Sequence, residues 1–426
     1  TSFHFTATDN NGGTSSQATA SINVTPVNDP PVAIADTGST DQNTLLSKDA
    51  ASGVLTNDSD IDGGSLNVTS ISFGSGSGVP VASGGTTVNG AFGSLLIAPN
   101  GSYTYTPGDA AKALVAGQSA NDVFTYSVSD GNGGTATTTL TIQVNGLNDA
   151  PVIGGIATGN VSEDGTLATG GNLTITDPDA GQSSFIAQTA QGTYGTLSLQ
   201  SNGSWSYSLD NASTNVQSLK QGEVVEDHFN VQAADGTVTT LVINVTGTND
   251  APVVGTATVN VSEEGLAAGI ADSNGSTDTT NLTTAGGTIS VSDVDGNPLN
   301  VTLTAPTTAL TSNGVAITWT GSDSKLLIGS AGSVEIVRAT ISDDGTHPVK
   351  LSGPIDHPIT TEEDLVTLDL GIKVSDGVTT TTSTLTVNVE DDAPKAGSVV
   401  QAIEVPPQDT NLLIILDNSG SMNTAD

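Results

Sequence analysis

Short segments in which apolar and polar residues alternate run along most of the chain. In residues 137–144, Leu140, Ile142 and Val144 fall on one face, and the Thr and Gln residues between them fall on the other. A period of two residues predicts a β-strand with one buried face. The same alternation recurs at Ile22 and Val24, at Leu241, Ile243 and Val245, and at Leu385, Val387 and Val389. No long stretch repeats its apolar residues with the helical period, so the pattern predicts an all-β fold.

Two hairpin motifs recur upstream of these segments. Asn100-Gly101 lies between two alternating segments, and Asn202-Gly203 lies between two others. Asn and Gly tolerate positive φ, so an Asn-Gly pair in this position predicts a tight β-hairpin. In the second motif an alternating segment runs into Asp followed by Gly or Asn, at Asp9, Asp130, Asp235 and Asp376. It predicts the turn between the last two strands of each repeat.

The motif Asn-Asp-x-Pro divides the chain into repeats. It begins at Asn28, Asn148 and Asn249, with a variant at Asp391, which gives spacings of 120, 101 and 142 residues. Short strands with frequent turn signals favour tandem Ig-like, Greek-key β-sandwiches. The predicted order is 1–29 as the C-terminal remnant of a preceding repeat, 30–149 and 150–250 as two repeats, 251–392 as a longer repeat, and 393–409 as a Pro-containing linker.

The last residues follow a different pattern. Residues 412–416 read Leu-Leu-Ile-Ile-Leu, an uninterrupted apolar run that is typical of a strand covered on both faces in a parallel α/β sheet. The run leads into Asp417, Ser419 and Ser421. We therefore predict that residues 410–426 begin a truncated α/β domain. Because the chain opens in what reads as mid-strand, we expect it to be a segment of a longer protein.

The charge balance narrows the possible partners. The 426 residues include 8 Lys and Arg against 45 Asp and Glu, a formal net charge of -37, and 35 of the acids are Asp. Nucleic-acid affinity comes mainly from Lys and Arg, so this composition predicts no nucleic-acid partner and favours metal cations instead. The absence of Cys excludes disulfides and Cys-ligated zinc sites. No apolar run is long enough to insert into a membrane.

Three acidic loops are candidate calcium sites. Asp at alternate positions beside Gly supplies carboxylates that converge on one point, as Ca²⁺ requires. The candidate ligands are Asp58, Asp60 and Asp62 in the first loop, Asp177 and Asp179 in the second, and Asp293 and Asp295 in the third, together with Asp29, Asp149 and Asp250 of the Asn-Asp-x-Pro motifs. The alternative is that these residues only form turns, since Asp, Asn and Gly are the usual turn residues.

A second acidic element contains Glu163 and Glu263. We expect Glu163 to lie in the same interdomain junction as Asp149 and the Asp177 loop, and we expect Asp36 and Asp41 to be its counterparts in the first repeat. Three sets of oxygens would then form an interdomain calcium cluster. A solvated acidic loop is the alternative.

These motifs resemble known families. A final strand followed by Asn-Asp-Ala-Pro, then a Glu and an Asp-x-Asp loop, resembles the calcium-binding layout of cadherin repeats. The Asn-Gly-Ser-aromatic hairpins and the Phe124–Asp130 segment resemble VCBS repeats of large type I secreted, RTX-type bacterial adhesins over residues 30–250. The third repeat lacks that hairpin and resembles a longer repeat class of such agglutinins. Its strand order is therefore left open.

Asp417, Ser419 and Ser421 after a buried strand resemble the start of a von Willebrand factor A domain. That resemblance implies a Mg²⁺ site whose remaining ligands come from later loops, so the site is expected only in the full-length protein.

Other classes of function fit less well. His4, His228, His347 and His357 have no recurring Ser or Asp partner, and the acids recur with each repeat although catalytic residues normally occur once, so we predict that the segment is not an enzyme. A carbohydrate-binding module is the main alternative, since Trp205 or Trp319 could stack on a sugar. We expect Trp205 instead to be a core residue equivalent to Tyr103. A halophilic surface would disperse its acids, whereas this chain concentrates Asp in turn motifs.

The sequence and the resemblance together predict a calcium-stiffened extender of a bacterial adhesin. The predicted location is extracellular, on the bacterial cell surface. The predicted partners are metal ions, neighbouring repeats of the same chain and an unidentified cell or surface ligand.

Overall fold

A computed structural model describes residues 1–270, 280–358 and 364–392. The first two strands, β1 (Ser2–Phe5) and β2 (Ala18–Ser21), pair antiparallel and are largely exposed. The predicted linker and the predicted start of a further domain, with Asp417, Ser419 and Ser421, lie outside the described residues. Within the described part of the chain, no helix has the length and apolar character needed to cross a membrane.

The first sandwich consists of two mainly antiparallel sheets that pack against each other. Its strands are β3 (Asp36–Asp41), β4 (Leu46–Lys48), β5 (Asn67–Phe73), β6 (Val79–Pro80), β7 (Thr86–Asn89), β8 (Gly93–Ile97), β9 (Tyr103–Pro107), β10 (Ser119–Ser129) and β11 (Thr135–Asn145), with one 3₁₀ turn at Ala111–Ala113. The sheet orders are β3-β11-β10-β5-β6 and β4-β9-β8-β7. Tyr105 of one sheet meets Phe124 of the other edge-on at 6.3 Å in the buried core.

The second sandwich repeats this plan. Its strands are β12 (Val152–Gly155), β13 (Thr158–Ser162), β14 (Ala168–Thr176), β15 (Gln188–Gln191), β16 (Gly195–Leu199), β17 (Ser204–Leu209), β18 (Val224–Gln232) and β19 (Val238–Thr246), with a one-turn helix α1 at Thr214–Gln217. The sheet orders are β12-β14-β17-β16-β15 and β13-β19-β18. Both Asn-Gly hairpins predicted from the sequence are confirmed, as β8–β9 and β16–β17.

Trp205 lies in the core of the second sandwich, as expected. Its side chain is 3% exposed, and its indole N–H donates to the carbonyl oxygen of Ile156 at 2.8 Å. Both faces of the ring are therefore committed to packing rather than to a ligand.

The third sandwich is larger because it carries a six-stranded sheet. Its strands are β20 (Val253–Val254), β21 (Ala257–Ser262), β22 (Thr284–Thr288), β23 (Val291–Ser292), β24 (Asn300–Thr304), β25 (Thr311–Ser312), β26 (Val315–Thr320), β27 (Leu326–Ala331), β28 (Val334–Thr340), β29 (Thr346–Leu351), β30 (Leu365–Ser375) and β31 (Thr380–Glu390), with a 3₁₀ turn at Glu263–Gly265. The sheet orders are β20-β23, β21-β31-β30-β24 and β22-β29-β28-β27-β26-β25.

An early strand of each sandwich pairs parallel with the last strand. Asp41 lies opposite Asn145, Ser162 opposite Thr246, and Ser262 opposite Glu390. Parallel partners run in the same direction, so the residue that follows each early strand lies where the chain leaves that sandwich. This pairing decides which acidic residues meet at each junction.

Two buried aspartates are fully hydrogen-bonded within the first two sandwiches. Asp227 accepts from the backbone N–H of Thr193 at 2.7 Å and of Tyr194 at 3.0 Å, and from the Tyr207 hydroxyl at 2.7 Å. Asp122 makes the equivalent hydrogen bonds in the first sandwich, accepting from the backbone N–H groups of Ala91 and Phe92 and from the Tyr105 hydroxyl at 2.7 Å. Each carboxylate fixes the loop before the Asn-Gly hairpin to the opposite sheet. The loop backbone passes so close that a Cβ at Gly192 would lie 2.4 Å from Asp227 Oδ2.

We expect Asp227→Ala to lower the free energy of unfolding of the second sandwich by about 4–5 kcal/mol, because three donors lose their acceptor and a hydrogen bond to a charged group is worth at least about 1.5 kcal/mol. Tyr207→Phe removes one hydroxyl and should cost about 1 kcal/mol. Urea unfolding followed by Trp205 fluorescence, in a Trp319→Phe background, measures both changes. Equal stability of the Asp227→Ala and parent proteins would contradict this role.

Candidate functional site

Each junction is held by a hydrogen bond from the linker backbone to an Asp-x-Asp loop. The N–H of Asp29 donates to Asp62 Oδ2 at 2.6 Å; the same bond joins Asp149 to Asp179 at 3.0 Å and Asp250 to Asp295 at 3.0 Å. We call these the first, second and third junctions. Within the first two loops, a backbone N–H also donates to the Asp side chain two residues earlier. The N–H of Asp62 donates to Asp60 and that of Asp179 to Asp177, both at 2.8 Å. The turn and the linker are thus locked together.

Asp58 is an additional residue of the first loop. Its Oδ1 accepts from the backbone N–H of Ile34 at 2.8 Å. The residues that match Asp177–Asp179 by hydrogen bonding are Asp60 and Asp62, so the three loops are equivalent in structure with Asp58 as an extra carboxylate.

A second contact at each junction joins the linker Asn to the Asp of the last hairpin. Asn28 Nδ2 donates to Asp130 Oδ2 at 2.7 Å, Asn148 Nδ2 to Asp235 Oδ2 at 3.4 Å, and Asn249 Nδ2 to Asp376 Oδ2 at 2.8 Å. Burial would raise the pKa of Asp376, but this amide and the N–H groups of the hairpin hold it well below its ordinary value. These hairpin aspartates were not predicted as site residues, although their recurrence in each repeat was visible in the sequence.

Glu163 lies at the opposite end of its sandwich from the expected place. It follows β13, which runs parallel to the last strand, so it reaches the third junction rather than the second. Its Oε2 accepts from the N–H of Thr248 at 3.0 Å, and its Oε1 accepts from Gln217 Nε2 at 2.9 Å. Asp149 and Glu163 therefore belong to different junctions.

The counterpart of Glu163 in the first sandwich is Gln42 rather than Asp36 or Asp41. Gln42 Oε1 accepts from the N–H of Leu147 at 3.1 Å, the same bond that Glu163 makes with Thr248. Gln42 Nε2 donates to Asp149 Oδ2 at 2.9 Å. Asp36 instead accepts from the Tyr126 hydroxyl at 2.6 Å inside the sandwich. The second junction thus has a neutral amide where the third has a carboxylate.

Many junction oxygens are buried yet accept no hydrogen bond from the described residues. They are Asp58 Oδ2, Asp60 Oδ2, Asp177 Oδ2, Asp179 Oδ1, Asp250 Oδ2, Asp293 Oδ2 and Asp295 Oδ1. A buried carboxylate oxygen without a donor is costly unless it meets a cation. A hard cation such as Ca²⁺ takes six to eight oxygen ligands, so this donor set fits that ion.

Electrostatics at the third junction point the same way. Burial raises the pKa values of Asp250, Asp295 and Glu163, and repulsion between neighbouring carboxylates adds to each shift. Lys220 partly offsets the effect at Asp295. Negative charge from both sandwiches is thus concentrated where they meet.

Glu263 occupies the place of Glu163 in the third sandwich. It follows β21 and accepts from the N–H of Ile355 at 2.6 Å. One ligand atom each of Glu263, His357 and Asp391 lie within 4.8 Å of one another. His357 and Asp391 were not predicted as site residues, because the sequence alone does not bring them together.

The fold and these junctions define a class: tandem β-sandwich repeats joined by short Asn-Asp linkers with carboxylates gathered at the joints. The family described as the bacterial cadherin-like domain matches residues 28–146 and 148–247, just over half of the chain, so the chain belongs to that family.

The chain is similar in sequence to one calcium-binding protein and in fold to cadherin ectodomains. The calcium-binding lectin RapA2 of Rhizobium johnstonii is 27% identical over 233 residues, which cover 49% of this chain and 95% of RapA2. Domains 1–5 of protocadherin gamma B2 align with 93% of this chain and 72% of that structure, at 14% identity and a TM-score of 0.42. Drosophila N-cadherin EC1-3 aligns with 84% of this chain and 98% of that structure, at 11% identity and a TM-score of 0.26.

In buffer free of divalent ions, we expect the third junction to become more stable as the pH falls from neutral toward the ordinary carboxyl range. The pKa values of Asp250 and Glu163 are higher in the folded protein than their ordinary values of 3.8 and 4.5, so the folded state takes up protons first and repulsion is relieved. Differential scanning calorimetry measures the effect. The double variant Asp250→Asn, Asp295→Asn should melt higher at neutral pH and respond less to acid; an unchanged response would contradict this assignment.

Proposed function

We propose that this chain is a calcium-stiffened extender segment of a secreted bacterial cell-surface adhesin. The observation that carries the proposal is the set of buried carboxylate oxygens without hydrogen-bond donors at the junctions. In the third junction they come from the linker, through Asp250, and from the next sandwich, through Asp293 and Asp295. Membership of the bacterial cadherin-like family and similarity to a protein named a calcium-binding lectin support the choice of ion.

The mechanism is electrostatic. Without a cation, Glu163 of the second sandwich repels Asp250 and Asp295 across the joint, and the linker moves apart from its neighbours. A calcium ion that takes oxygens from the second sandwich, the linker and the third sandwich turns this repulsion into a bridge. Stiff joints keep tandem sandwiches extended, which projects an adhesive domain away from the cell.

The predicted von Willebrand A-type start extends the proposal. Asp417, Ser419 and Ser421 would contribute to a Mg²⁺ site of an adhesive domain in the full-length protein. The extender would then carry that domain beyond the cell surface. Type I secretion is part of the proposal through the resemblance to RTX-type adhesins.

We expect small-angle scattering of the full chain to show a longer and less flexible particle in millimolar calcium than in chelator, with a higher melting temperature. The double variant Asp293→Asn, Asp295→Asn should lose part of the calcium response. Asp369→Asn, an exposed carboxylate on β30 outside the junctions, is the matched control and should behave like the parent. Identical profiles with calcium and with chelator would leave the loops as ordinary turns.

Gln42→Glu should lower the stability of the second junction without calcium and raise the calcium affinity of that junction. In chelator it replaces a 2.9 Å hydrogen bond to Asp149 with repulsion, so the melting temperature should fall. With calcium it adds a ligand, and we expect about a tenfold gain in affinity, on the order of 1.4 kcal/mol. Isothermal titration calorimetry measures the gain, and Glu163→Gln should show the reverse loss. A Gln42→Glu protein that binds calcium no more tightly would argue against an ion near Gln42.

A carbohydrate-binding module is the second candidate, favoured by the similarity to RapA2, which is named a lectin. Trp205 is buried and hydrogen-bonded, so it does not offer a stacking surface. Glycan-array binding of the full chain in calcium tests this alternative, and saturable binding to one glycan class would favour it over a pure extender.

A further inference from the structure

A buried histidine of the third sandwich faces two carboxylates. His357 lies between β29 and β30 and its side chain is 3% exposed. Its Nε2 is 3.5 Å from Glu263 Oε1 and makes no hydrogen bond with the described residues. Glu263 is 6% exposed at its side chain, and Asp391 brings a third ligand atom into the same 4.8 Å group. A buried nitrogen is therefore aimed into a pair of carboxylates.

The orientation of the imidazole is set by a fourth residue. His357 Nδ1 lies 2.5 Å from Asp364 Oδ1, and the Asp364 carbonyl also accepts from the N–H of Asp391 at 3.1 Å. With the Nδ1 proton donated to a carboxylate, the lone pair of a neutral imidazole lies on Nε2 and points at Glu263. A carboxylate behind a histidine is the usual outer-shell arrangement of protein metal sites.

Comparison of the three sandwiches separates this cluster from the other junctions. The residue after the early parallel strand is Gln42, Glu163 or Glu263. Glu163 accepts a hydrogen bond from the amide of Gln217, and Gln42 donates its own amide to Asp149. In the described residues, the third sandwich is the one that places an imidazole nitrogen at this position. Its donor set is mixed nitrogen and oxygen rather than oxygen alone.

The ligand type selects the class of ion. Ca²⁺ and Mg²⁺ take oxygen ligands, whereas imidazole suits Zn²⁺, Co²⁺ and Ni²⁺. Two carboxylates and one neutral imidazole also match the charge and ligand number of known zinc sites, with one position left for water. Protonated His357 offers one positive charge against Glu263, Asp364 and Asp391, so even the imidazolium leaves the cluster negative.

We infer that Glu263, His357 and Asp391 form a binding site for a transition-metal dication such as Zn²⁺, with Asp364 as the group that orients His357. The site is distinct in ion class from the calcium junctions, and it does not depend on whether those junctions bind calcium. It lies where the chain leaves the third sandwich, next to β31, so the metal would fix the end of the last strand.

Cobalt titration of the full 426-residue chain tests the inference. Millimolar calcium is kept in the buffer so that oxygen-only sites are occupied by the hard cation. We expect one tightly bound Co²⁺ with visible absorption typical of low coordination number, displaced by one equivalent of Zn²⁺. His357→Gln should abolish this absorption, and Asp364→Asn should weaken binding by about 10- to 100-fold, as expected for an outer-shell carboxylate.

The control uses a second His–Glu pair on the surface. His228 Nε2 lies 2.9 Å from Glu226 Oε2, and both side chains are at least half exposed. His228→Gln should leave the cobalt spectrum unchanged. Circular dichroism of the metal-free His357→Gln protein checks that the fold persists, and Glu263→Gln offers a second route if it does not.

Three results would overturn the inference. The first is cobalt absorption that survives His357→Gln, which would place the metal elsewhere. The second is cobalt absorption that appears only when calcium is left out of the buffer, which would make the cluster another calcium site. The third is no cobalt binding by the folded parent protein, which would leave His357 as a cation paired with its carboxylates.

Discussion

The parallel pairing of an early strand with the last strand of each sandwich determines what meets at every joint. Antiparallel partners would bring the residue after the early strand back to the entrance of its own sandwich. Parallel partners carry it to the exit, where Gln42, Glu163 and Glu263 lie beside the departing chain. The linker N–H groups then face the next sandwich and donate to its Asp-x-Asp loop. One choice of strand direction thus places donors and acceptors of two sandwiches at one point.

The three sandwiches compensate the charge at that exit position in different ways. The first has the neutral Gln42 there instead of a carboxylate. The Gln42 amide accepts a hydrogen bond from Leu147 and donates one to Asp149. The second has Glu163, which accepts from Gln217 and Thr248; burial raises the pKa of Glu163, and the neighbouring Asp250 carboxylate adds to that shift. The third has Glu263 beside His357. Repeats that share one motif therefore differ in how much negative charge is left at the exit of each sandwich for a cation to neutralise.

Local patterns were enough to predict the strands and turns but not the junction partners. The Asn-Gly hairpins and the β10–β11 hairpin follow from alternation and turn chemistry, and the structure confirms these three hairpins. The expectation that Glu163 joins Asp149 was wrong because sequence distance gives no information on strand direction. Glu163 is 14 residues from Asp149 in the chain, yet its partner Thr248 is 85 residues away. His357 needed the same long-range information, since Glu263, whose carboxylate it faces, is 94 residues away in the chain.

Buried aspartates of one sandwich fall into two groups. They differ in whether every carboxylate oxygen accepts a hydrogen bond. Asp227 is buried, and three donors from its own sandwich satisfy its carboxylate, so it needs no other partner. Asp179 is equally buried, but one oxygen takes the linker N–H while the other accepts nothing from the described chain. Both residues recur in the neighbouring sandwich, so recurrence alone cannot tell a structural carboxylate from a ligand. The unsatisfied oxygen favours the ligand role for Asp179, because a cation that meets this oxygen would offset the cost of burying it.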